Sequence, residues 1–273
     1  MSERGAAVAV NAALAVAAVL CLVPLWWMLV LSLSPAGAAG GYPPPLWPRA
    51  VTLDHYRALV SRMDMARHFA NSLAIAGAVT VLSVAFNTAA GYAFAKLRFA
   101  GRERLFRVLL FALVIPGQVA MLPLFILVKE LGLVNSYAGV VVPGMASVFG
   151  IFLVRQYVQS IPDSLLDAAR LDGAGEMGVF LHVVLPLCRP IIATLALFTF
   201  LGSWSDFLWP LIVLADGARY PLPVALANLL GEHAQDTELM MAGAVLTVAP
   251  VIALFLFLQR HYLAGLQAGA LKG

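Results

Sequence analysis

Charge is what this chain has least of. Only 11% of its 273 residues are charged, against 62% hydrophobic, where a soluble globular domain carries about 25% charged residues. That shortage excludes a water-soluble fold of ordinary composition. Lysine is rarer still, with three residues, Lys96, Lys129 and Lys272, none of them behind a GxxxxGK[ST] glycine frame. Without that frame the chain has no loop to cradle nucleotide phosphates. The two cysteines, Cys21 and Cys188, lie far apart, in or beside apolar runs. Such a pair makes neither a disulfide framework nor a metal site, and both read as small buried apolar residues. The five histidines show no HExxH or paired spacing. No dense basic run marks a nucleic-acid footprint, and no nucleophile stands with a plausible base. The residues predict no enzyme, no metal and no cofactor held by this chain, so any energy it uses comes from a partner.

What the chain does have is long apolar sequence. Six runs are candidates to cross a bilayer: Ala6–Leu33, Phe69–Ala95, Leu105–Val128, Tyr137–Val158, Ile191–Leu214 and Met240–Leu258. Ala36-Gly37-Ala38 resembles a signal-peptide cleavage site, but the first apolar run is about twice a normal signal core, so it reads as an uncleaved span. Ala74 and Ala78 make a small-xxx-small pair suited to close helix approach. Pro116-Gly117 and Pro143-Gly144 interrupt spans three and four, either as kinks near a pathway or as packing features. Between the first two spans, Leu53–Arg67 has amphipathic spacing, with Leu53, Tyr56, Leu59, Val60 and Met63 on one side. It reads as an interfacial helix or as a contact for a soluble delivery protein. Lys96–Arg107 reads as a tight basic loop, Asp216–Leu239 as an acidic one and residues 259–273 as a soluble tail. The expected fold class is all-α: one polytopic membrane domain over 1–273 with six transmembrane helices.

Basic residues orient such a bundle. With Met1 inside, the inner segments hold Arg4, Lys96, Arg98, Arg102, Arg104, Arg107, Arg155, Arg170, Arg189, Arg260 and Lys272. The outer segments hold Arg49, Arg57, Arg62, Arg67, Lys129 and Arg219. Eleven against six predicts both termini in the cytoplasm.

The stretch that organises the chain is the polar-patterned Asp163–Pro190, set between apolar runs. Pro162 suits the start of a helix, where its missing N–H costs nothing. Leu165, Leu166 and Ala169 recur at helical spacing as one apolar stripe, and Asp167 and Arg170, three apart, are placed to pair. Asp172-Gly173 breaks the helix, since glycine takes the left-handed conformation that ends helices. A second short helix through Met177 and Phe180 follows until Pro186 and Pro190 punctuate it. The result is a helix–turn–helix elbow, too small to bury its own apolar face, facing the cytoplasm.

The series Asp167-Ala168-Ala169, Asp172-Gly173-Ala174, Phe180 and Leu185-Pro186 resembles the "EAA" coupling loop of bacterial ABC importer permeases, with Asp167 where that family usually has Glu. Further matches are Asn71-Ser72, Ala93-Phe94-Ala95, Ile115-Pro116-Gly117-Gln118, Gly150-Ile151-Phe152-Leu153 with Arg155-Gln156, Gly202-Ser203-Trp204-Ser205-Asp206-Phe207-Leu208-Trp209-Pro210 and the ending Ala264–Gly273. They cover nearly the whole chain and are similar to the carbohydrate-importer, MalG-like, binding-protein-dependent branch. The resemblance implies a multi-pass permease of the bacterial cytoplasmic membrane. Its implied partners are a second homologous permease, two ATPase subunits that carry ATP-Mg, an extracytoplasmic substrate-binding protein and membrane lipid, with no nucleic acid. It implies ATPase docking through Leu165, Leu166, Asp167, Ala168, Ala169, Asp172, Gly173, Ala174, Phe180, Leu185 and Pro186. A tail with Gly265, Gln267, Gly269 and Lys272 is implied to reach the ATPases.

Polar groups inside spans are costly and face a bundle or cavity. Asn87, Gln118, Trp204 and Asp206 are the candidates for a translocation path. The alternative for Asp206 is a bond within the bundle, and for Trp204 an interface anchor. Two other functions stand beside the importer: an ion-coupled secondary transporter, which calls for intramembrane carboxylates or inverted repeats, and a non-transporting membrane adaptor. Asp206 is the one such carboxylate and no repeat is evident.

Overall fold

The structure is a computed structural model that describes residues 3–43, 45–62, 64–232 and 236–270. Among these residues every regular element is helical. Helix α1 (Glu3–Ser32) is followed by α2 (Asp54–Arg62) and α3 (Met65–Lys96). Next come α4 (Arg102–Ala112), α5 (Gly117–Glu130), α6 (Tyr137–Val141) and α7 (Val148–Gln159). The elbow contains α8 (Asp163–Leu171) and α9 (Glu176–Leu187). The chain ends through α10 (Arg189–Trp204), α11 (Leu208–Val213), α12 (Leu222–Glu232) and α13 (Thr237–Ala270).

Four stretches are long and apolar enough to cross a membrane: Ala7–Ser32, Met65–Lys96, Tyr137–Gln159 and Thr237–Leu256. Two bent pairs bring the candidates to six: α4 with α5, at 106°, and α9 with α10, at 78°. The first bend sits at Pro116-Gly117, as the sequence signals. Pro116 is the N-cap of α5, and its missing N–H leaves no bond to carry α4 onward. The Pro143-Gly144 break is real too: a 3₁₀ turn over Val142–Gly144 separates α6 from α7.

Several boundaries differ from the sequence reading. The amphipathic helix is shorter, Asp54–Arg62, and Asp64 at φ +50 closes it before α3. Its buried side is His55 and Leu59, while Leu53 and Val60 are exposed and Met63 lies outside the described residues. The basic loop is only residues 97–101, because Arg102 already opens α4. The acidic loop contains the eleven-residue helix α12. Pro221 and Pro223 mask that helix in the sequence, yet a proline in the first turn removes only an orphan N–H. The last span does not stop at residue 258 but continues as helix to Ala270.

The chain divides into two compact units, Met1–Ala66 with Ala225–Pro250, and Arg67–Val224 with Val251–Gly273. In the first, His55 Nε2 meets the Ser34 carbonyl at 2.9 Å, and Ala39 N–H donates to the buried Glu238 carboxylate at 2.7 Å. Among its described residues the second carries three buried clusters. Tyr92, Val154, Val158, Leu166, Val179 and Val184 form one beneath the elbow. Ile75, Val79, Val140, Trp209 and Val213 form another, and Phe94, Phe106 and Ile151 the third.

Glycine sets how closely α7 approaches α3. A Cβ on Gly150 would fall 2.5 Å from Asn87 Nδ2, and one on Gly91 would fall 2.6 Å from Val154 Cγ1. The small pair named from the sequence does not do this, since Ala74 is exposed. Arg155 locks the same seam: its Nε donates to the Phe94 carbonyl at 3.2 Å, and its guanidinium sits 3.9 Å over the Phe106 ring. Gly150→Ala and Gly91→Ala are each expected to cost about 1–3 kcal/mol through overpacking, read as a lower Tm of the purified protein in detergent. Gly77→Ala, with open space around it inside α3, is expected to hold or raise Tm, since alanine is the better helix former.

Candidate functional site

The elbow forms where the sequence places it. Pro162 occupies the N-cap of α8, and Asp163 sits in the first turn, where a negative charge suits the helix dipole. Lys96, the last residue of α3, donates to Asp163 Oδ1 and to the Ile161 carbonyl, both at 2.6 Å. That hydrogen bond and the lysine charge hold the Asp163 carboxyl below its ordinary range. A depressed carboxylate pKa stabilises the fold above the unfolded value, and the gain fades only as pH falls through the lowered one. The tie is therefore intact at neutral pH.

Helix α8 ends in a Schellman motif. Gly173 has φ +89, Gly173 N–H donates to the Arg170 carbonyl at 3.0 Å, and Ala174 N–H to the Ala169 carbonyl at 2.9 Å. Both are the bonds that satisfy the last carbonyls of a helix. Ala169 and Ala174 pack on the cluster below, which supplies the apolar contact the motif favours.

Arg170 spans the turn. It donates to Asp167 Oδ1 at 2.8 Å, as the spacing predicts, and grips Glu176 in a two-pronged pair at 2.9 and 3.3 Å. Both carboxylates push its pKa still further up. Glu176 Oε2 also accepts from Tyr92 Oη of α3 at 2.8 Å. The two elbow helices and the bundle are thus linked through Asp167, Arg170, Glu176 and Tyr92. Sequence reasoning missed Glu176 and Tyr92, because neither lies on the stripe it followed.

The predicted stripe divides. Leu166 is buried, Ala169, Ala174 and Leu185 are half-buried, and Phe180 packs 5.3 Å from the Tyr92 ring. These residues hold the elbow to its own bundle. Asp167, Ala168, Asp172, Gly173 and Pro186 are exposed. Leu165 is 47% exposed, Met177 69% and Leu171 88%. Leu171 and Met177 are apolar side chains left mostly uncovered by the described residues, and neither lies on the stripe of Leu165, Leu166 and Ala169. A π-helical stretch, Phe180–Val184, lies inside α9 and has no signal in the sequence.

The path candidates do not converge. Asn87 is fully buried and structural: its Nδ2 donates to Ser83 Oγ at 2.7 Å and its Oδ1 accepts from Ser147 N–H at 2.9 Å. Gln118 is exposed on α5. Trp204 is buried, with Phe69 and Phe200 rings at 5.5 and 5.7 Å. Asp206 lies in the break between α10 and α11, where its Oδ1 accepts from Trp209 N–H at 3.4 Å. It lines a cavity of about 440 Å³ that also touches Ser83, Ser147, Thr199, Ser203 and Trp209. Gly265, Gln267 and Gly269 fall on the last turns of α13, and Lys272 lies outside the described residues.

Comparisons with known proteins point one way. Residues 87–267 match the family described as "Binding-protein-dependent transport system inner membrane component". The arabinooligosaccharides transport system permease protein AraQ of Halalkalibacterium halodurans is 40% identical over 227 residues, covering 83% of this chain and 81% of that protein. The AraQ of Bacillus subtilis is 36% identical over 257 residues, covering 93% and 92%. The melibiose/raffinose/stachyose import permease protein MelC of Bacillus subtilis is 31% identical, covering 92% and 91%. The crystal structure of a bacterial ABC transporter that imports the acidic polysaccharide alginate contains a chain that superposes with TM-score 0.85 at 25% identity, covering 96% of this chain and 98% of that one. The multi-pass helical architecture, the elbow and these matches agree: the chain belongs to the inner membrane components of binding-protein-dependent ABC transport systems.

Proposed function

We propose that this permease imports a sugar or sugar derivative and takes its energy from an ATPase that docks on the elbow. One observation carries the docking half. The elbow's inner face is buried on its own bundle, while Leu165, Leu171 and Met177 project outward among Asp167, Ala168 and Asp172. Apolar anchors ringed by polar groups are the anatomy of a protein interface. The sugar half rests on the relatives, whose names are those of oligosaccharide permeases. A binding protein delivers the solute, as the family description implies. A second, homologous permease completes the path, and two ATPase subunits hold ATP-Mg beneath the pair.

Orientation follows the basic residues, with both termini and the elbow in the cytoplasm. Closure of the ATPase pair on ATP moves the elbow. Because Lys96–Asp163 and Tyr92–Glu176–Arg170 tie it to α3, that motion reaches the spans as a rigid displacement. It drives transport to the extent that the ATPase binds the inward- and outward-open states with different affinity. The C-terminal tail, with Gly265, Gln267 and Gly269 on the last turns of α13 and Lys272 after them in sequence, is a second ATPase contact.

Three outcomes test this reading. Proteoliposomes holding this chain, the second permease, the ATPase and the binding protein take up a labelled oligosaccharide only with ATP inside; uptake without the ATPase sinks the ABC assignment. Leu171→Asp and Met177→Asp each lower ATPase co-purification by about tenfold or more, the loss of roughly 1.4 kcal/mol or greater expected of an interface anchor, with membrane insertion unchanged. Wild-type ATPase yield from both variants refutes the docking face. Gly173→Val strains the left-handed turn by about 1–2 kcal/mol and weakens docking and transport. Gly173→Asn, which that conformation tolerates, keeps most of both.

A further inference from the structure

One wall of the cavity beside Asp206 is a helical face. Phe198, Thr199, Gly202 and Ser203 of α10 line it at spacings of one, three and one, the stripe that a helix surface presents, and Asp206 follows in the break beyond the helix. Along this stripe the side chains change from aromatic to hydroxyl to carboxylate toward the break after Trp204. Across from it, Ser83 and Ser147 add two more hydroxyls. Among the fifteen described lining residues Asp206 is the one carboxylate, and none is an arginine, lysine or histidine. A carboxylate placed in a span is costly and marks a solute or ion pathway by default. At about 440 Å³ the space suits one or two sugar rings, since small-ligand pockets run to roughly 300–1,000 Å³.

We propose that this cavity is a stretch of the translocation path and that Asp206 makes it a charge filter, passing neutral or cationic glycans and rejecting uronates and other anionic ones. The inference rests on the permease reading above and adds its substrate class. The hydroxyls exchange hydrogen bonds with sugar hydroxyls, and Trp209 lines the same space. An anionic sugar meets a like charge there, with no cation among the lining residues to offset it.

The test reads cavity charge without requiring the natural solute. In the assembled importer, with Cys21→Ser and Cys188→Ala, Ser203→Cys is labelled by three small methanethiosulfonates that are neutral, cationic and anionic. Rates are normalised to those with free cysteine and taken with and without ATP. Thr199→Cys, one turn earlier, is the second reporter should Ser203→Cys assemble poorly. The expected result is labelling by the neutral and cationic reagents, with the anionic one slower by about tenfold. In the Asp206→Asn background the three rates converge. An anionic reagent as fast as the neutral one overturns the filter, as does a rate pattern unchanged by Asp206→Asn. Failure of the neutral reagent to label either cysteine in both nucleotide states overturns the path itself. Sugar uptake in proteoliposomes reports separately on the permease reading, so the two fail independently.

Discussion

The fold of the working part depends on how the elbow is held to α3 and α7. Two kinds of contact hold it, and their magnitudes differ. The ion pairs are mostly exposed: Asp163 and Asp167 are 76% and 63% accessible, and such pairs contribute about 0–1 kcal/mol each. Leu166, Val179 and Val184 are within 1% of full burial, and burying side chains of this size contributes about 1.5–3 kcal/mol each, as an upper bound. Burial therefore fixes the elbow to the bundle. The ion pairs choose the angle, because the forked Arg170–Glu176 pair fits one geometry. Close packing of α7 on α3 at Gly91 and Gly150 extends that rigidity into the membrane.

The same division explains what the sequence made legible. The turn at Asp172-Gly173 could be read because glycine at a left-handed position is a local requirement, independent of the rest of the fold. The Asp167–Arg170 pair was legible for the same reason, being set by helical spacing alone. The split of the stripe was not. Leu165 and Leu166 are adjacent, and which one is buried depends on where α8 lies against α7 and α9, information that comes from contacts distant in sequence. Tyr92 and Glu176 are 84 residues apart, and Arg155 reaches Glu103 and Phe94 over 52 and 61 residues. Such long-range bonds leave no local pattern. Helix α12 was hidden differently: its prolines and acidic neighbours carry turn and loop signals that its packing overrides, with Leu222 N–H bonded to the buried Ser72 hydroxyl at 2.7 Å.

Exposed apolar surface has two different meanings in this chain. On α1 it is continuous, from Val8 through Leu22 and beyond, and no charged residue interrupts it after Arg4. That is a surface whose solvent is lipid. On the elbow it is patchy, with Leu165, Leu171 and Met177 set among Asp163, Asp167, Arg170 and Asp172. A lipid core does not accept that many charges on a short segment, so this patch lies outside the bilayer core, where the proposed docking would cover it.

Breaks in the spans follow a related logic. An unbroken helix satisfies its own backbone in lipid, and irregular backbone is tolerated only inside protein or along a cavity. The chain interrupts its spans at Pro116-Gly117, near Pro143-Gly144 and at Ser205-Asp206-Phe207. The last two interruptions border the same cavity, which touches Pro143, Gly144, Ser147 and Asp206. Each brings local polar bonds with it: Ser147 caps α7 through Gly150 N–H at 2.9 Å, and Asp206 accepts from Trp209 N–H. The two breaks meet at one hollow, where four hydroxyls and a carboxylate sit among mostly apolar side chains, and protein-lined space of this kind is where irregular backbone is tolerated in a bilayer. The seam at Gly91 and Gly150 and the broken ends at the hollow thus mark two kinds of helix contact in one unit, the first packed tight and the second open around a cavity.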